Sequence, residues 1–487
     1  MITVNTQAAQ SGSITSPPTF KVAIIGGGIC GACIGSTLSQ LSRSLMQNGS
    51  NAMPLLIDVF DQGRSGVGGR ASHRSVRKFD SREGKEVQLG WDHGCQFFRA
   101  DTSRMASAVQ EWIDKGYCSE WKGKFVNIDN RINRDFFGMA HGLSPFYVGN
   151  GGMNSIAKNL LNEATDSDSK MNSLKIYEGT RVTDLKRRDA SGKWTLVGVD
   201  GERAYHDSVV PKSLKSSSTR RGLIDDSSPL VGGRQYDVVV LTDVSSTTFT
   251  SWHRASAGVP EDFSLKVKER VKSRVPLFTC MLAFDSPLPT DISAISFGQE
   301  TESPLWFASR NNHKPGLDTT LDKDCWTLVS TPEYAIRKIE ETPMRDTDGK
   351  FVPQSKSYLE SIPGAELEKS FRKALVDICR IDECNQPKTF YMTAQRWGSA
   401  MPAERNASVH EPSSSKKLIA GTVYDSKKQK LSPTALEVSE RSFIEDEMLS
   451  LIQAGDMVSS YTPGFEAAAL SGFDVAAHII SLYKHNT

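Results

Sequence analysis

Three glycines near the start of the sequence have the spacing of a phosphate-binding turn. Gly26, Gly28 and Gly31 occupy a G-x-G-x-x-G frame within the segment KVAIIGGGICG. Glycine at the first position permits a tight turn, at the second it lets a pyrophosphate approach the backbone, and at the third it lets a helix pack on the preceding strand. The first N–H groups of that helix would be free to bind the phosphates. Such a frame also occurs in ordinary turns. It indicates a phosphate-binding turn only where the flanking residues form a strand before it and a helix after it.

The flanking residues have the periodicities of a βαβ unit. Residues 22–25 and 55–60 are apolar runs that predict two short strands. Between them, apolar side chains recur at helical spacing at Ile34, Leu38, Leu41 and Leu45. The polar residues 47–52 predict a loop insertion. Asp61 closes the second strand, where its carboxylate can accept hydrogen bonds from a ribose diol; a solvated strand-end carboxylate is the alternative.

The residues that follow Asp61 resemble a family of flavoenzymes. The segment DQGRSGVGGRAS contains Gly68, Gly69 and Arg70, and it resembles the E-x-x-x-x-x-G-G-R pattern of the flavin-containing amine oxidases and, more closely, of the renalase-like FAD-dependent oxidoreductases. The resemblance implies that the acid holds the adenosine ribose, with Asp61 in place of the commoner glutamate, and that the G-G-R segment passes beside the pyrophosphate. Because plain nicotinamide dehydrogenases lack this second element, the resemblance favours FAD over NAD.

Further segments resemble the parts of this family that surround the cofactor. Residues 92–98 match a D-x-G-x-Q-[FY]-F element that lies near the flavin ring, where Gly94 would let the backbone approach and Gln96 would orient polar edges; an ordinary strand end is the alternative. The glycines of YVGNGGM, residues 147–153, predict the start of another helix. Val182 matches a valine that contacts adenine through its backbone.

The C-terminal segment resembles the end of the same family. A predicted strand ends in Gly455 and Asp456, and a helix rich in small residues is predicted over residues 464–483. The resemblance implies that the Asp456 carboxylate binds a ribitol hydroxyl. The N-terminus of the helix would face the flavin or the phosphates, where its dipole favours negative charge. No cysteine lies between residues 455 and 464, so the sequence predicts non-covalent FAD.

The region from residue 251 to residue 417 predicts a second, substrate-binding part. Strands are predicted over residues 277–284, 306–310 and 326–330, and one helix is predicted over residues 367–378. The K-P-G segment that begins at Lys314 and the R-W-x-x-A-x-P segment that begins at Arg396 again resemble renalase-like sequences.

Five residues are candidates for the walls of a substrate pocket, namely Gln96, Trp306, Arg396, Trp397 and Tyr461. Core packing is the alternative interpretation of the tryptophans, and a surface ion pair is the alternative for Arg396. The sequence identifies no general acid or base. Hydride abstraction from a deprotonated amine or a dihydropyridine needs little acid–base catalysis.

Composition excludes several classes of function. The 487 residues carry 58 basic and 57 acidic side chains, a net charge of +1, so no overall field attracts nucleic acid or an anionic membrane. The eight cysteines are scattered, which predicts reduced thiols and no metal site; small packed side chains explain the C-x-x-C of Cys30 and Cys33. No run approaches 18 apolar residues, and residues 1–19 lack an apolar signal region. We therefore expect a cytoplasmic protein with a disordered N-terminal tail.

Together these features predict an α/β fold, with a Rossmann-like FAD-binding domain and a discontinuous second domain on a mostly antiparallel sheet. The FAD-binding domain is predicted over residues 20–100, 148–250 and 418–487, with an insertion loop at 204–234, and the substrate domain over residues 101–147 and 251–417. The resemblance implies an oxidase-like enzyme in which FAD takes a hydride at N5 from an aberrant dihydronicotinamide dinucleotide or an amine and molecular oxygen reoxidises the flavin. A desaturase or isomerase of an apolar substrate and a non-catalytic FAD-binding scaffold are the alternatives.

Overall fold

The structure is a computed structural model that describes most of the chain. It describes residues 18–47, 53–63, 66–128, 135–136, 139–140, 145–166, 172–187, 192–199, 233–243, 258–271, 274–297, 303–317, 322–343, 347, 352–402, 418–425, 430–437, 441–461 and 463–485. The predicted disordered tail lies outside the described residues apart from 18 and 19, and the predicted insertion at 204–234 does so apart from 233 and 234.

The described residues form α-helices and short strands in alternation. The helices are α1 Ile29–Gln47, α2 Ser103–Asp114, α3 Asn154–Asp166, α4 Glu261–Val271, α5 Pro332–Glu341, α6 Lys356–Leu359, α7 Ala365–Cys379 and α8 Phe465–His485. The strands are β1 Phe20–Ile25, β2 Leu55–Phe60, β3 His73–Asp80, β4 Lys85–Asp92, β5 Cys118–Glu120, β6 Lys124–Asn127, β7 Asp135–Phe136, β8 Met139–Ala140, β9 Tyr147–Gly149, β10 Asn172–Tyr177, β11 Arg181–Arg187, β12 Trp194–Val199, β13 Gln235–Tyr236, β14 Val238–Leu241, β15 Arg274–Phe284, β16 Ile292–Ser296, β17 Leu305–Arg310, β18 Asp324–Ser330, β19 Thr389–Pro402, β20 Leu418–Asp425, β21 Lys430–Glu437, β22 Ile444–Asp446 and β23 Leu451–Gln453.

A six-stranded sheet joins segments from the two ends of the sequence. Its strand order is β10-β2-β1-β14-β23-β22. The pairs from β10 to β23 are parallel, and β22 is antiparallel at one edge. The order of the strands in the sheet differs from their order in the chain, because parallel strands joined by crossover connections lie on both sides of β1. The predicted βαβ unit is present as β1, α1 and β2.

A second six-stranded sheet has the order β19-β15-β18-β17-β16-β6. Its pairs are antiparallel except for β16 with β6. One face packs on α5 and α7 through an apolar cluster that includes Phe278, Leu282 and Phe371. The other face contributes Leu277 and Phe307 to the same core as β1 and α1. The predicted division into two domains stays a prediction.

The terminal helix α8 packs on α1 through small residues. A methyl group on Gly472 would lie 2.6 Å from the Cys30 carbonyl oxygen and 2.9 Å from the Cys33 Cβ. Both of these thiols are buried, and burial raises their pKa, so they stay protonated. Among the described helices, the window Phe465–Lys484 passes a length and composition test for a membrane span, with a mean hydropathy of 1.3. Half of that window is buried inside the protein, which is typical of a core helix.

One prediction for residues 251–417 was wrong. The sequence analysis expected one helix there, whereas the described part of this region contains α4, α5, α6 and α7. The start of α5 carries a capping signal that the analysis overlooked. Thr331 is the N-cap, its side chain accepts a hydrogen bond from the Tyr334 backbone N–H, and Pro332 occupies the first turn.

Candidate functional site

The carboxyl ends of the parallel strands meet at one edge of the first sheet. Glu178 follows β10, Asp61 follows β2, Gly26 follows β1, Asp243 follows β14 after one residue, and Asp456 follows β23 after two. In doubly wound sheets, ligands bind outside this edge, where the strand order reverses. In this sheet the order reverses at β1, because β2 and β14 lie on its two sides.

The first glycine turn has the geometry that its sequence predicts. Gly26 has φ +112°, and a methyl group there would lie 2.2 Å from the Thr242 Oγ1 atom. A methyl group on Gly31 would lie 1.9 Å from the Gly26 carbonyl oxygen, so α1 can approach the turn only with glycine at this position. The nearest atoms to a methyl group on Gly28 are the Gly68 carbonyl oxygen and the Gly69 Cα, both at 3.8 Å. The protein itself therefore leaves room at Gly28.

The Asp61 carboxylate is bound to the backbone of this turn region. Its Oδ2 atom accepts a hydrogen bond from the Gly27 N–H at 2.8 Å, and its Oδ1 atom accepts one from the Gly63 N–H at 2.7 Å. The residue is 6% exposed. Burial raises the pKa of Asp61, and these two backbone hydrogen bonds oppose that shift. The carboxylate thus joins two turns of the chain.

The G-G-R segment lies against both the first turn and the C-terminal segment. Gly68 forms a parallel bridge with Gly28 and donates its N–H to the Gly27 carbonyl oxygen at 2.9 Å. The Arg70 guanidinium makes a bidentate ion pair with Asp456, and one of its bonds is 2.9 Å long. Arg70 also donates to the Ala400 carbonyl oxygen in the second sheet at 3.2 Å. The sequence analysis expected Asp456 near the cofactor but did not find this partner.

Burial and charge act in opposite directions on Arg70. Burial alone would lower its pKa, but the neighbouring carboxylates of Asp456 and Asp243 raise it. The guanidinium is therefore permanently charged at the point where three segments of the chain meet.

Gly94 contacts the G-G-R segment from the other side. A methyl group on Gly94 would lie 2.0 Å from the Arg70 carbonyl oxygen and 3.3 Å from the Trp397 Cζ2 atom. The next residue, Cys95, donates its N–H to the same Arg70 oxygen at 2.7 Å. Glycine is thus needed here because the Arg70 backbone approaches closely. This reason differs from the close approach to the flavin that the resemblance implies.

A buried ion pair, which the sequence analysis missed, lies beneath the Gly94 segment. Lys314 Nζ and Asp92 Oδ2 are 3.0 Å apart, and both side chains are 0% exposed. The other oxygen of Asp92 accepts hydrogen bonds from His73 Nδ1 at 3.0 Å and from the Met153 N–H at 2.8 Å. Lys314 also lies over the Trp121 ring, 5.4 Å from its centre. The K-P-G segment was noted in the sequence, but its lysine was given no role.

The pair has a strong effect on protonation. Burial alone would raise the pKa of Asp92, but the Lys314 charge and the His73 hydrogen bond lower it to about 2. Burial lowers the pKa of Lys314, and Asp92 opposes that shift. Burial also lowers the pKa of His93 to about 3, so this imidazole is neutral. Asp92 is therefore the stable anion of the group.

Gln96 and Trp397, two of the pocket candidates, bind to this network. Gln96 Nε2 donates to the carbonyl oxygens of Asp92 at 2.8 Å and Gly94 at 2.9 Å, and its Oε1 accepts from Ser309 Oγ at 2.6 Å. Trp397 Nε1 donates to the His93 carbonyl oxygen at 2.9 Å. Both side chains hold the 92–96 segment in place.

The other three candidates lie elsewhere. Arg396 is opposite Phe278 in the β15–β19 pair, whereas Trp397 is opposite Leu277, so the two side chains lie on opposite faces of the sheet. Arg396 therefore lies on the face that packs on α5 and α7, where burial lowers its pKa to about 10. Trp306 is buried in the main core. Tyr461 is half-buried and donates to Asp474 Oδ2 at 3.3 Å.

Val182 is the remaining predicted cofactor residue. It lies in β11, which belongs to the three-stranded sheet β11-β12-β13, and it packs in a core that also contains Phe60. Its segment follows Thr180, whose N–H donates to the Asp61 carbonyl oxygen at 2.8 Å. The start of β11 is thus close to the end of β2, and its contact with adenine stays a prediction.

Aromatic rings lie next to this network, since Lys314 lies over the Trp121 ring and Phe97 follows Gln96 in the chain. The ring centre of Phe97 lies 4.7 Å from that of Phe146, 5.8 Å from that of Phe307 and 6.1 Å from that of Trp121. Phe125 extends this group, 4.9 Å from Trp121. We call these five residues the aromatic cluster. Among the described residues, no group of histidine, cysteine, aspartate and glutamate side chains could hold a metal ion.

Comparison with known proteins shows the fold of this chain. No protein-family model matches the sequence. The structure of putrescine oxidase bound to putrescine is similar, with a TM-score of 0.50, 10% sequence identity, and coverage of 95% of this chain and 100% of that chain. Reduced UDP-galactopyranose mutase is similar too, with a TM-score of 0.50, 9% identity, and coverage of 96% and 95%. These similarities confirm the predicted α/β fold class.

Proposed function

We propose that this chain is a FAD-dependent oxidoreductase that takes a hydride from a small reduced substrate. One observation carries the proposal. The first glycine turn, the G-G-R segment and the Gly455–Asp456 segment come from distant parts of the sequence, and they meet at the carboxyl edge of one parallel sheet. The similar structures are flavoproteins, which supports FAD as the cofactor.

The residues at this edge fit a dinucleotide. The space beside Gly28 and the start of α1 would receive the pyrophosphate, since free N–H groups at a helix start bind phosphate. The Arg70 guanidinium, 36% exposed, supplies positive charge next to that space. Asp456 would accept a hydrogen bond from the ribitol chain, as the resemblance implies, and no cysteine would form a covalent link. We therefore expect FAD to be bound non-covalently.

Bound FAD would supply an acceptor for two electrons that is reoxidised by molecular oxygen. The chain's own residues would orient the substrate and exclude water. The Lys314–Asp92 pair fixes the backbone of residues 92–96, and Gln96 uses its whole amide to hold the same segment. Asp92 stabilises the protonated form of Lys314, whereas burial opposes it. A protonated Lys314 would favour electron density that develops near this segment.

The electrostatics favour a substrate without a positive charge. In the described part of the network, Asp92 is the buried carboxylate, and Lys314 and His73 already bind it. A cationic amine would therefore lack a free counter-charge here, whereas the flat ring of a dihydronicotinamide could stack on the aromatic cluster. We propose the renalase-like activity first and amine oxidation second. The aromatic cluster also supports the desaturase or isomerase of an apolar substrate as a further candidate.

Anaerobic reduction of the flavin tests the proposal. The purified chain would be mixed with dihydronicotinamide dinucleotides, amines and apolar polyenes, and the visible flavin band would be followed. Bleaching by a dihydronicotinamide and recovery in air support the first candidate, and bleaching by an amine or a polyene supports the corresponding alternative. A chain that binds no flavin after reconstitution contradicts the proposal, and a flavin that no donor reduces supports the scaffold.

A further inference from the structure

Glu178 lies next to Asp61 at the edge of the first sheet. In the parallel pair of β10 and β2, Tyr177 is opposite Phe60, so Glu178 and Asp61 are the first residues after two neighbouring strands. The Asp61 N–H donates to the Tyr177 carbonyl oxygen at 3.0 Å, which extends the pairing to this point. The family resemblance assigns the ribose to Asp61, and no sequence pattern indicates a role for Glu178.

The two carboxylates differ in access. Asp61 is buried, and each of its oxygens already accepts a backbone hydrogen bond. Val67 lies close to the same point of the turn, because a methyl group on Gly27 would lie 2.6 Å from Val67 Cγ1 and 2.9 Å from Asp61 Oδ2. A carboxylate that binds two backbone N–H groups stabilises the turn that carries them. Each oxygen keeps a second lone pair, but the burial of the side chain leaves little access for a ligand.

Glu178 is exposed, in contrast to Asp61. Its Oε1 atom accepts a hydrogen bond from the Val67 N–H at 3.3 Å, and Oε2 accepts none from the residues that the structure describes. A methyl group on Gly66, which has φ +82°, would lie 2.4 Å from Oε1. The glutamate is thus held beside the loop that continues into the G-G-R segment.

From this placement we infer that Glu178, rather than Asp61, binds the hydroxyl groups of the adenosine ribose. The inference rests on the proposed function, because it names a residue of the proposed FAD site. The free oxygen of an ionised carboxylate is a strong acceptor for a ribose hydroxyl. Glu178 lies at the carboxyl edge, two strands from β1, which carries the glycine turn that would hold the phosphates. Asp61 then acts as a positioning residue that joins the two turns.

Ligands that lack one hydroxyl test this assignment. The flavin-free full chain would be titrated with ADP, 2′-deoxy-ADP and 3′-deoxy-ADP in a calorimeter, as wild type and as Glu178→Gln and Asp61→Asn. We expect wild type to bind ADP about 10-fold more tightly than at least one deoxy analogue, as a hydrogen bond to a charged group predicts. Glu178→Gln should lose most of this preference and keep the melting temperature of wild type. Asp61→Asn should melt at a lower temperature and keep the preference.

Each contrary result has a distinct meaning. A preference that persists in Glu178→Gln, or that disappears in Asp61→Asn while that variant is folded, overturns the assignment. A wild-type chain that binds ADP and FAD but does not distinguish the deoxy analogues overturns it too and leaves the proposed function intact. A wild-type chain that binds neither ADP nor FAD overturns the proposed function itself.

Discussion

Replacement of Gly28 by alanine should weaken the binding of the cofactor without harm to the fold. The added methyl group would meet the Gly68 oxygen and the Gly69 Cα at 3.8 Å, an ordinary van der Waals distance. The apoprotein should therefore keep its free energy of unfolding to within about 0.5 kcal/mol. The same methyl group enters the space that we assign to the pyrophosphate. Overpacking of this kind costs about 1–3 kcal/mol, so the Kd for FAD should rise about 5- to 150-fold.

The assay needs two readouts and a control. Urea unfolding of the flavin-free chain measures stability, and quenching of flavin fluorescence measures the Kd for FAD. Gly31→Ala is the matched control, because its methyl group would lie 1.9 Å from the Gly26 oxygen and should lower stability directly. If Gly28→Ala binds FAD within twofold of wild type, the pyrophosphate does not lie at this turn. If Gly28→Ala unfolds as readily as Gly31→Ala, the space at Gly28 is misjudged.

Two further predictions concern the charged pairs. Asp456→Ala removes the carboxylate that pairs with Arg70 and the proposed acceptor for the ribitol chain, so the flavin content after dialysis should fall. The control is Asp322→Ala, which changes an exposed carboxylate and should keep the wild-type flavin content. Equal flavin contents in the two variants would contradict the role of Asp456. The pKa of Asp92 is about 2 in the folded chain, below the value of about 3.9 in unfolded chains. Its contribution to stability, about 2–3 kcal/mol, is therefore present above pH 4 and is lost as the pH falls towards 2. Lys314→Met should be less stable at pH 7 and should show a smaller loss over that range in urea unfolding; parallel profiles for the two proteins would contradict the coupling.

Local patterns were enough to predict the start of the fold. The apolar run of β1, the helical spacing in α1 and the run of β2 each depend on neighbours within about 20 residues, and the structure has all three elements in the predicted places. The glycine turn could also be predicted from local sequence, because glycine is needed there for a tight turn and for the close approach of one helix. The start of α5 was also readable, because threonine followed by proline is a capping signal.

The contacts of the site could not be predicted in the same way. Arg70 and Asp456 are 386 positions apart, and Lys314 and Asp92 are 222 positions apart. No spacing rule connects residues so far apart in the chain, so no local pattern indicated either pair. The opposite faces of Arg396 and Trp397 could have been predicted, because adjacent residues of a strand alternate between its two faces.

The strands of the first sheet come from segments that are far apart in the chain, and this determines how early the cofactor can bind during synthesis. Strand β1 comes from residues 20–25 and β23 from residues 451–453, and both flank β14 in the finished sheet. The ribosome must therefore translate the chain as far as residue 453 before β23 can join that sheet. A nascent chain that stops before residue 451 lacks both the carboxylate partner of Arg70 and the helix that packs on α1. Flavin capture thus has to wait for the synthesis of β23 and α8, and products truncated before residue 451 should be colourless.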